Sequence, residues 1–148
     1  MNISQNGINL LKQFEGFSKT SYPDSGGIYT IGYGNITYKN GTAVKKGETI
    51  TEVQASDLLL YFVNKFTAKI LPFIKVNLNQ NQFDALVIFA YNVGVSAFSK
   101  STLIKVINEN PNDKVGISEQ FLRWNKVGGV PVKGLTNRRQ KEIDLYFS

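Results

Sequence analysis

The sequence contains no cysteine and no histidine, and only one tryptophan and one methionine among its 148 residues. Without thiols and imidazoles the chain cannot form disulfides, Cys–His zinc sites, cysteine nucleophiles or a Ser–His–Asp triad. No apolar run approaches the ~18 residues that a membrane-spanning helix needs. Any chemistry must therefore rely on carboxylates, hydroxyls, amides, Lys, Arg or Tyr.

The composition that remains is that of a folded, basic protein. Hydrophobic residues make up 42% of the chain and aromatic residues 12%, which predicts one compact domain or two subdomains that share a core. The net charge is +6, and residues 114–148 carry seven basic against three acidic side chains. A basic surface favours acidic polymers, namely nucleic acid, anionic lipid or bacterial cell wall.

Capping signals and hydrophobic spacing predict the elements of the N-terminal half. Ser4 is a candidate N-cap and Gly16 a candidate C-cap of a first helix. Gly-rich sequence and a β run then predict a small hairpin. Thr51 and Gln54 form a capping-box signature before a long amphipathic helix that Pro72 ends. The predicted elements are a helix over 4–15, a hairpin over 17–40 and a helix over 52–71.

The C-terminal half is predicted to be helical. Asn79 and Gln82 repeat the capping spacing before the most apolar helix, Phe83 to Val93, which should form the centre of the core. Residues 128–134 are Gly-rich and predict a loop that lines or covers a cleft. Three further helices are expected to begin at Ser101, at Asn112 or Asp113, and at Thr136.

This order of elements predicts an α+β fold in which a small antiparallel β lobe is joined by a long helix to a helical lobe. The expected bounds are about 14–50 for the β lobe, about 51–72 for the connecting helix, and 1–13 with 73–148 for the helical lobe. Such an arrangement is expected to leave a ligand-binding cleft between the lobes.

Glu15 stands out as a candidate general acid. It lies at the predicted C-terminal end of the first helix, where the macrodipole disfavours negative charge, and on the same stripe as Ile8 and Leu11. Both effects predict a raised pKa and a carboxyl group that holds a proton near neutral pH. The alternative is an exposed Glu whose stem covers the helix end.

Asp24 and Thr30 are candidate partners for Glu15. Asp24 follows Pro23 in a turn rich in backbone N–H donors, which should keep it ionised. One carboxyl held neutral and another held charged is the division that acid and base roles require. Thr30 lies on the small, polar face of a strand, where its hydroxyl can hold a water. Ordinary turn chemistry for Asp24 and simple β propensity for Thr30 are the alternatives.

Motifs along the whole chain carry a family resemblance. The segments are Phe14-Glu15-Gly16, Tyr22-x-Asp24, Tyr29 to Gly34, Asn81 to Leu86, Phe89 to Gly94, Phe98-x-x-Ser101-Thr102-Leu103, Trp124 and Gly134-Leu135-x-x-Arg138-Arg139. In this set and order the sequence resembles the phage lysozymes, or endolysins, of glycoside hydrolase family 24. That family separates its catalytic Glu, Asp and Thr by eight and then five residues, as Glu15, Asp24 and Thr30 are separated here. Asn35 occupies a position where many members have His.

The resemblance implies a lysozyme-like fold and a reaction. The substrate would be peptidoglycan, cut by inversion at the β-1,4 bond from N-acetylmuramic acid to N-acetylglucosamine. Glu15 would protonate the leaving oxygen, and Asp24 with Thr30 would position the water. An inverting pair separates its carboxyls by about 6.5–9.5 Å. The reaction requires no metal and no cofactor.

The same resemblance suggests substrate contacts and partners. The residues that map to the family's contacts are Ile36, Tyr91, Ser101 and Ser118, with Arg138 as a further candidate. Ile36 and Tyr91 could instead be core residues, Ser101 a helix N-cap, and Arg138 the partner of an acid near the cleft. Because Met1 to Gly7 lack the pattern of a signal peptide, the protein is expected in the host cytoplasm until a holin opens the membrane. A monomer without bound nucleic acid or stable membrane insertion is expected.

Three other function classes stay open, the third being a nucleic-acid binder that only the basic charge supports. A lytic transglycosylase cleaves the same bond but closes a 1,6-anhydro ring, and it needs no Asp–Thr water site. A non-enzymatic, cationic, membrane-active protein is the second, because residues 58–76 interleave apolar residues with Lys65, Lys69 and Lys75.

Overall fold

The computed structural model describes all residues, 1–148, and confirms the predicted α+β class. Seven helices and two short antiparallel hairpins make up the chain. In order they are α1 (Gln5–Glu15), β1 (Ser18–Pro23), β2 (Tyr29–Gly32), α2 (Glu52–Ile70), α3 (Gln80–Val93), α4 (Val95–Lys100), α5 (Thr102–Glu109), α6 (Lys114–Leu122), β3 (Lys126–Val127), β4 (Val130–Pro131) and α7 (Lys133–Tyr146).

The chain forms two compact units. The first, which we call the β unit, is Ile8–Lys65, and the second, the helical unit, consists of Met1–Gly7 with Phe66–Ser148. The boundaries fall inside α1 and α2, because each of these helices carries residues of both units.

The predicted hairpin is confirmed in the β unit. Strand β1 pairs antiparallel with β2, with Tyr22 opposite Thr30, and the register shifts between Ser18 and Tyr22. The chain turns back immediately after β2, because Ile31 and Asn35 exchange both backbone hydrogen bonds at 2.9 and 3.0 Å. Because β1 and β2 pair, Asp24 lies in the turn between these two strands.

The capping box of α2 is also confirmed. The Thr51 hydroxyl accepts from the Gln54 N–H at 3.1 Å, and the Gln54 Oε1 accepts from the Thr51 N–H at 3.0 Å. The helix ends at Ile70, and Pro72 lies in the single 3₁₀ turn that follows. Proline ends the α-helix as expected, because it has no N–H to continue the hydrogen-bond ladder.

Replacing Gly32 by alanine is expected to destabilise the β unit by about 2–3 kcal/mol. Gly32 has a φ of +63°, and a Cβ built there would lie 3.0 Å from the Cβ of Ala55. Urea unfolding followed by circular dichroism measures the loss. Gly41→Ala is the matched control, since Gly41 has a φ of +85° with open space around it. Equal losses in the two variants would contradict a steric contribution at Gly32.

Helix α3 lies at the centre of the helical unit, as predicted. Every residue from 82 to 90 is buried, and Asn79 caps the helix with the predicted capping box. The Phe89 ring contacts three other aromatic rings edge-on or tilted, those of Phe98, Phe121 and Trp124, at centroid distances of 5.5–6.4 Å. Trp124 is half-buried and packs against the aromatic core.

The prediction of the last helix was wrong in its start. Helix α7 begins at Lys133, and the Thr136 hydroxyl donates to the Val132 carbonyl at 3.3 Å from inside the first turn. The Gly-rich stretch is likewise more ordered than a loop, because Gly128 and Gly129 form the turn of the β3–β4 hairpin. Helix α4 was not predicted, since its six residues carry no capping signal.

Two buried charged clusters hold the helical unit together. The carboxylate of Asp84 in α3 accepts from the Ser4 N–H at 3.0 Å, from the Ser4 hydroxyl, and from the Gln80 side chain at 2.7 Å. Ser4 also caps α1, as predicted, by accepting from the Gly7 N–H. A Cβ on Gly7 would lie 2.8 Å from Asp84, so this position requires glycine.

The second cluster is an ion pair within α7. Arg139 is 1% exposed, its Nε lies 2.8 Å from Glu142 Oε1, and its guanidinium also donates to Asn92 at 2.6 Å. The guanidinium carbon lies 5.0 Å from the centroid of the Phe89 ring. Burial raises the pKa of Glu142 to about 7, although both Arg139 and Arg138 pull it down. Burial thus disfavours the charged form of Glu142, and its two arginine neighbours offset part of that effect.

Candidate active site

The three predicted catalytic residues all lie in the β unit. Glu15 is the last residue of α1, Asp24 lies between β1 and β2, and Thr30 is in β2. Because a helix end, a tight turn and a strand follow one another along the chain, the three residues lie close together in the sequence.

Glu15 is half-buried at the negative end of the helix dipole, as predicted. Gly16 continues the chain with a φ of +73° and closes the helix by donating to the Lys12 carbonyl at 2.9 Å. The Glu15 Oε2 atom lies 3.5 Å from the position that a Cβ would take on Gly34. The turn after β2 therefore approaches the Glu15 carboxyl closely.

Asp24 is exposed and its carboxylate is held from one side. The Oδ1 atom accepts from the Gly26 N–H at 2.8 Å and from the Ile28 N–H at 2.9 Å. The Oδ2 atom makes no hydrogen bond within the protein and is open to a water. The predicted turn rich in N–H donors is confirmed.

Thr30 is connected to Asp24 through the peptide groups of Ile28. The Thr30 hydroxyl donates to the Ile28 carbonyl at 3.2 Å, while the Ile28 N–H donates to Asp24. Thr30 is only 6% exposed, so its side chain is largely enclosed. With its proton on Ile28, the hydroxyl oxygen has lone pairs left to accept a hydrogen bond.

The candidate substrate contacts differ in their surroundings. Ile36, in the β unit, is 47% exposed and is not a core residue. Tyr91, in α3, is half-buried and packs edge-on against Phe66 at 5.4 Å. Ser101 is 4% exposed, and its hydroxyl caps α5 by accepting from the Ile104 N–H and donates to the Phe98 carbonyl. The geometry at Ser101 thus supports a capping role.

Ser118 and Arg138 lie elsewhere in the helical unit. Ser118, in α6, lines a cavity of about 410 Å³ together with Lys114, Gln140 and Asp144. The Arg138 side chain is 11% exposed, and its Nε lies 3.5 Å from Glu142 Oε2. Arg138 thus contacts an acid of its own helix.

Two features of the site had no clear signal in the sequence. One is the approach of Gly34 to Glu15, which depends on the turn after β2. The other is a cluster around Glu52, which accepts from Tyr33 at 3.0 Å and Ser56 at 2.8 Å and pairs with Lys12 at 3.4 Å. The hydrogen bond from Ser56 is the main cause that lowers the pKa of Glu52, with Tyr33 next. This cluster links α1, the turn after β2 and the start of α2.

Comparison with known proteins gives a consistent result. The chain matches the phage lysozyme family over residues 12–142. It is 44% identical to the endolysin of Bacillus phage PZA over its whole length and covers 56% of that protein. It is 39% identical to the endolysin of Salmonella phage P22, covering all of this chain and 99% of the other. The chain thus spans just over half the length of its Bacillus phage relatives.

The fold comparison agrees with the sequence comparison. A solved endolysin from Escherichia coli O157:H7 phage FAHEc1 is 45% identical and superimposes with a TM-score of 0.90, covering 100% of this chain and 94% of the other. The crystal structure of the P22 lysozyme mutant L86M gives the same TM-score, with 99% of its chain covered.

Proposed function

Because the chain belongs to the phage lysozyme family, we propose that it is a muramidase that hydrolyses the β-1,4 bond between N-acetylmuramic acid and N-acetylglucosamine of peptidoglycan during host-cell lysis. The observation that carries this proposal is the arrangement of two carboxyls in the β unit. One ends a helix and is half-buried, and the other is exposed and held by two N–H donors.

In this proposal Glu15 is the general acid. Its position at the carboxyl end of α1 and its partial burial both favour the neutral carboxylic acid. A neutral carboxyl can donate its proton to the leaving glycosidic oxygen as the bond breaks. The close approach of Gly34 limits the space on one side of the carboxyl, which supports a fixed orientation.

Asp24 and Thr30 would position and activate the water. The Oδ1 atom of Asp24 is occupied by backbone donors, so Oδ2 is the atom that can take a proton from water. Thr30 keeps its hydroxyl proton on the Ile28 carbonyl and can accept from the same water. A water held by two acceptors presents its lone pair to the sugar, as an inverting reaction requires.

Inversion gives a direct test of this function. Purified protein acting on isolated peptidoglycan is expected to release reducing ends that are first in the α configuration, because water attacks the face opposite the β-linked leaving group. Proton NMR of fresh products and mass spectrometry measure this outcome. Initial β-anomers would contradict the Asp24 water mechanism, and 1,6-anhydro ends would indicate a lytic transglycosylase.

The route to the wall stays a prediction. None of the helices is both long and apolar enough to cross a membrane. We propose that the protein waits in the host cytoplasm as a monomer and reaches the wall after a holin opens the inner membrane. Lysis timed by co-expressed holin would support this route, and equal lysis without any holin would contradict it.

A further inference from the structure

The β unit carries an open groove whose lining includes none of the candidate catalytic residues. The groove has a volume of about 510 Å³ and lies where residues 38–40, 49–50 and the first half of α2 meet. This volume falls within the range of about 300–1,000 Å³ that is usual for small-ligand sites. The proposed hydrolysis does not use it.

The groove combines an apolar floor with an aromatic wall. Ile50 and Leu58 line it and are 7% and 4% exposed, so their side chains form a fixed apolar surface. The ring of Tyr38 also lines the groove, and its hydroxyl is anchored by donating to Glu48 at 3.0 Å. Such a surface accommodates a methyl group or the C–H face of a sugar ring.

The polar part of the lining offers N–H donors whose orientation is fixed by the fold. The Oδ1 atom of Asn40 accepts from the Thr42 N–H at 2.9 Å, and the Oε1 atom of Gln54 accepts from the Thr51 N–H at 3.0 Å. Each amide oxygen is therefore already hydrogen-bonded to a backbone N–H within the protein. The NH₂ groups of Asn40 and Gln54 have no protein acceptor, so both are available to a ligand.

Positive charge lies at the rim of the groove. Lys39 lines the groove, and the ammonium groups of Lys39 and Lys65 both lie over the Tyr61 ring, 5.5 and 5.4 Å from its centroid. Lys39 is paired with Asp57, whereas Lys65 has no carboxylate partner. The lining is therefore rich in N–H donors, and Lys65 beside it carries a positive charge without a carboxylate partner, so a complementary ligand is rich in acceptors and negatively charged.

We propose that this groove is a second wall-binding site that holds an N-acetylated, carboxylate-bearing saccharide of the peptidoglycan strand. The acetamido methyl lies on Ile50 and Leu58, its carbonyl and the carboxylate accept from Asn40 and Gln54, and the rim lysines attract the charge. This inference rests on the proposed function for its choice of polymer. If the groove binds in this way, the β unit contacts the peptidoglycan strand at a second place, separate from the candidate catalytic residues.

The chain offers nearly isosteric variants for the test. Asn40→Asp with Gln54→Glu keeps both oxygens that accept from Thr42 and Thr51, but it removes the free NH₂ donors and adds two negative charges. The matched control is Asn2→Asp with Asn77→Asp, which adds the same charge at two exposed side chains of the helical unit. Circular dichroism and thermal unfolding verify that all variants fold.

The probe is the disaccharide of N-acetylglucosamine β-1,4-linked to N-acetylmuramic acid, with and without a stem peptide, because it lacks the bond that the enzyme would cut. In ¹⁵N-labelled wild type it should shift the side-chain NH₂ signals of Asn40 and Gln54 in a saturable manner. The double variant should bind at least about tenfold more weakly, as judged from the backbone signals of Thr42 and Thr51. The control should bind like wild type. The two forms of the probe distinguish the lactyl carboxylate from the peptide carboxylates as the bound acid.

Several outcomes would overturn the proposal. These are unshifted NH₂ signals, equal weakening in the control variant, equal affinity for an uncharged N-acetylglucosamine trimer, or tighter binding of a glycerol phosphate polymer than of the disaccharide. Peptidoglycan turnover measured in parallel separates the two proposals. Normal turnover without groove binding overturns only the second site, and groove binding without turnover overturns only the proposed enzyme.

Discussion

Replacing Glu15 by glutamine is expected to lower the rate of peptidoglycan hydrolysis by about 10²- to 10⁴-fold. Glutamine keeps the shape of the side chain at the end of α1 and beside Gly34, but it has no acidic proton to give to the leaving oxygen. The rate of reducing-end release from isolated peptidoglycan measures the effect. The fold should be retained, because the variant has the same number of side-chain heavy atoms beside Gly34.

The matched control for this experiment is Glu109→Gln. Glu109 is exposed at the end of α5, so its substitution makes the same Glu-to-Gln change without touching the β unit. The control should hydrolyse peptidoglycan like wild type. A Glu15→Gln protein that keeps more than about a tenth of the wild-type rate would remove Glu15 from the role of general acid. If that variant or heat-denatured protein still lysed cells, a membrane-active mechanism would be favoured.

Replacing Arg139 by methionine is expected to destabilise the protein by about 3 kcal/mol, because it breaks a buried ion pair from one side. Methionine fills much of the space next to Phe89, but Glu142 loses its closest counter-charge and Asn92 loses its donor. Urea unfolding followed by the fluorescence of Trp124, which contacts Phe89, measures the loss. Arg123→Met, at an exposed arginine, is the control and should cost less than about 0.5 kcal/mol.

The loss in Arg139→Met should also grow with pH. Glu142 has a pKa of about 7 in the folded protein, above its ordinary value, and Arg139 lowers it. Without Arg139 the folded-state pKa of Glu142 rises further. A carboxyl with a raised folded-state pKa favours folding at low pH and loses that contribution as the pH rises through the folded-state value. The variant should therefore lose more stability at pH 8 than at pH 5.5, and equal losses would contradict this account.

Local signals predicted most of the helix starts. Ser4, Thr51, Asn79, Ser101 and Asp113 each cap the helix that their position in the sequence indicated. These motifs are readable because a cap needs only a polar side chain and the two or three residues after it. Helix α7 was misplaced because Val132, which precedes it, has no capping side chain, and its start follows from the β3–β4 hairpin instead.

The candidate site also combines features that depend on neighbouring residues with features that depend on tertiary packing. The turn that holds Asp24 and the helix end that carries Glu15 are local structures, so their nature was predictable from the residues beside them. The burial of Thr30 and the exposure of Ile36 were not, because both depend on what the hairpin packs against. Ser101 could be interpreted as a cap or as a substrate contact until its hydroxyl was found between Phe98 and Ile104.

The absence of cysteine and histidine and the helix-capping signals determined from the sequence alone which residue types any chemistry must use and where most of the helices begin. These properties depend on residue type and on short stretches of backbone. Only the tertiary structure decided which polar groups line a groove that a ligand can enter. Asn40 and Gln54 illustrate the reason, since each amide oxygen accepts from a backbone N–H close to it in the sequence, whereas the groove that both residues line forms only where residues 38–40, 49–50 and the first half of α2 meet.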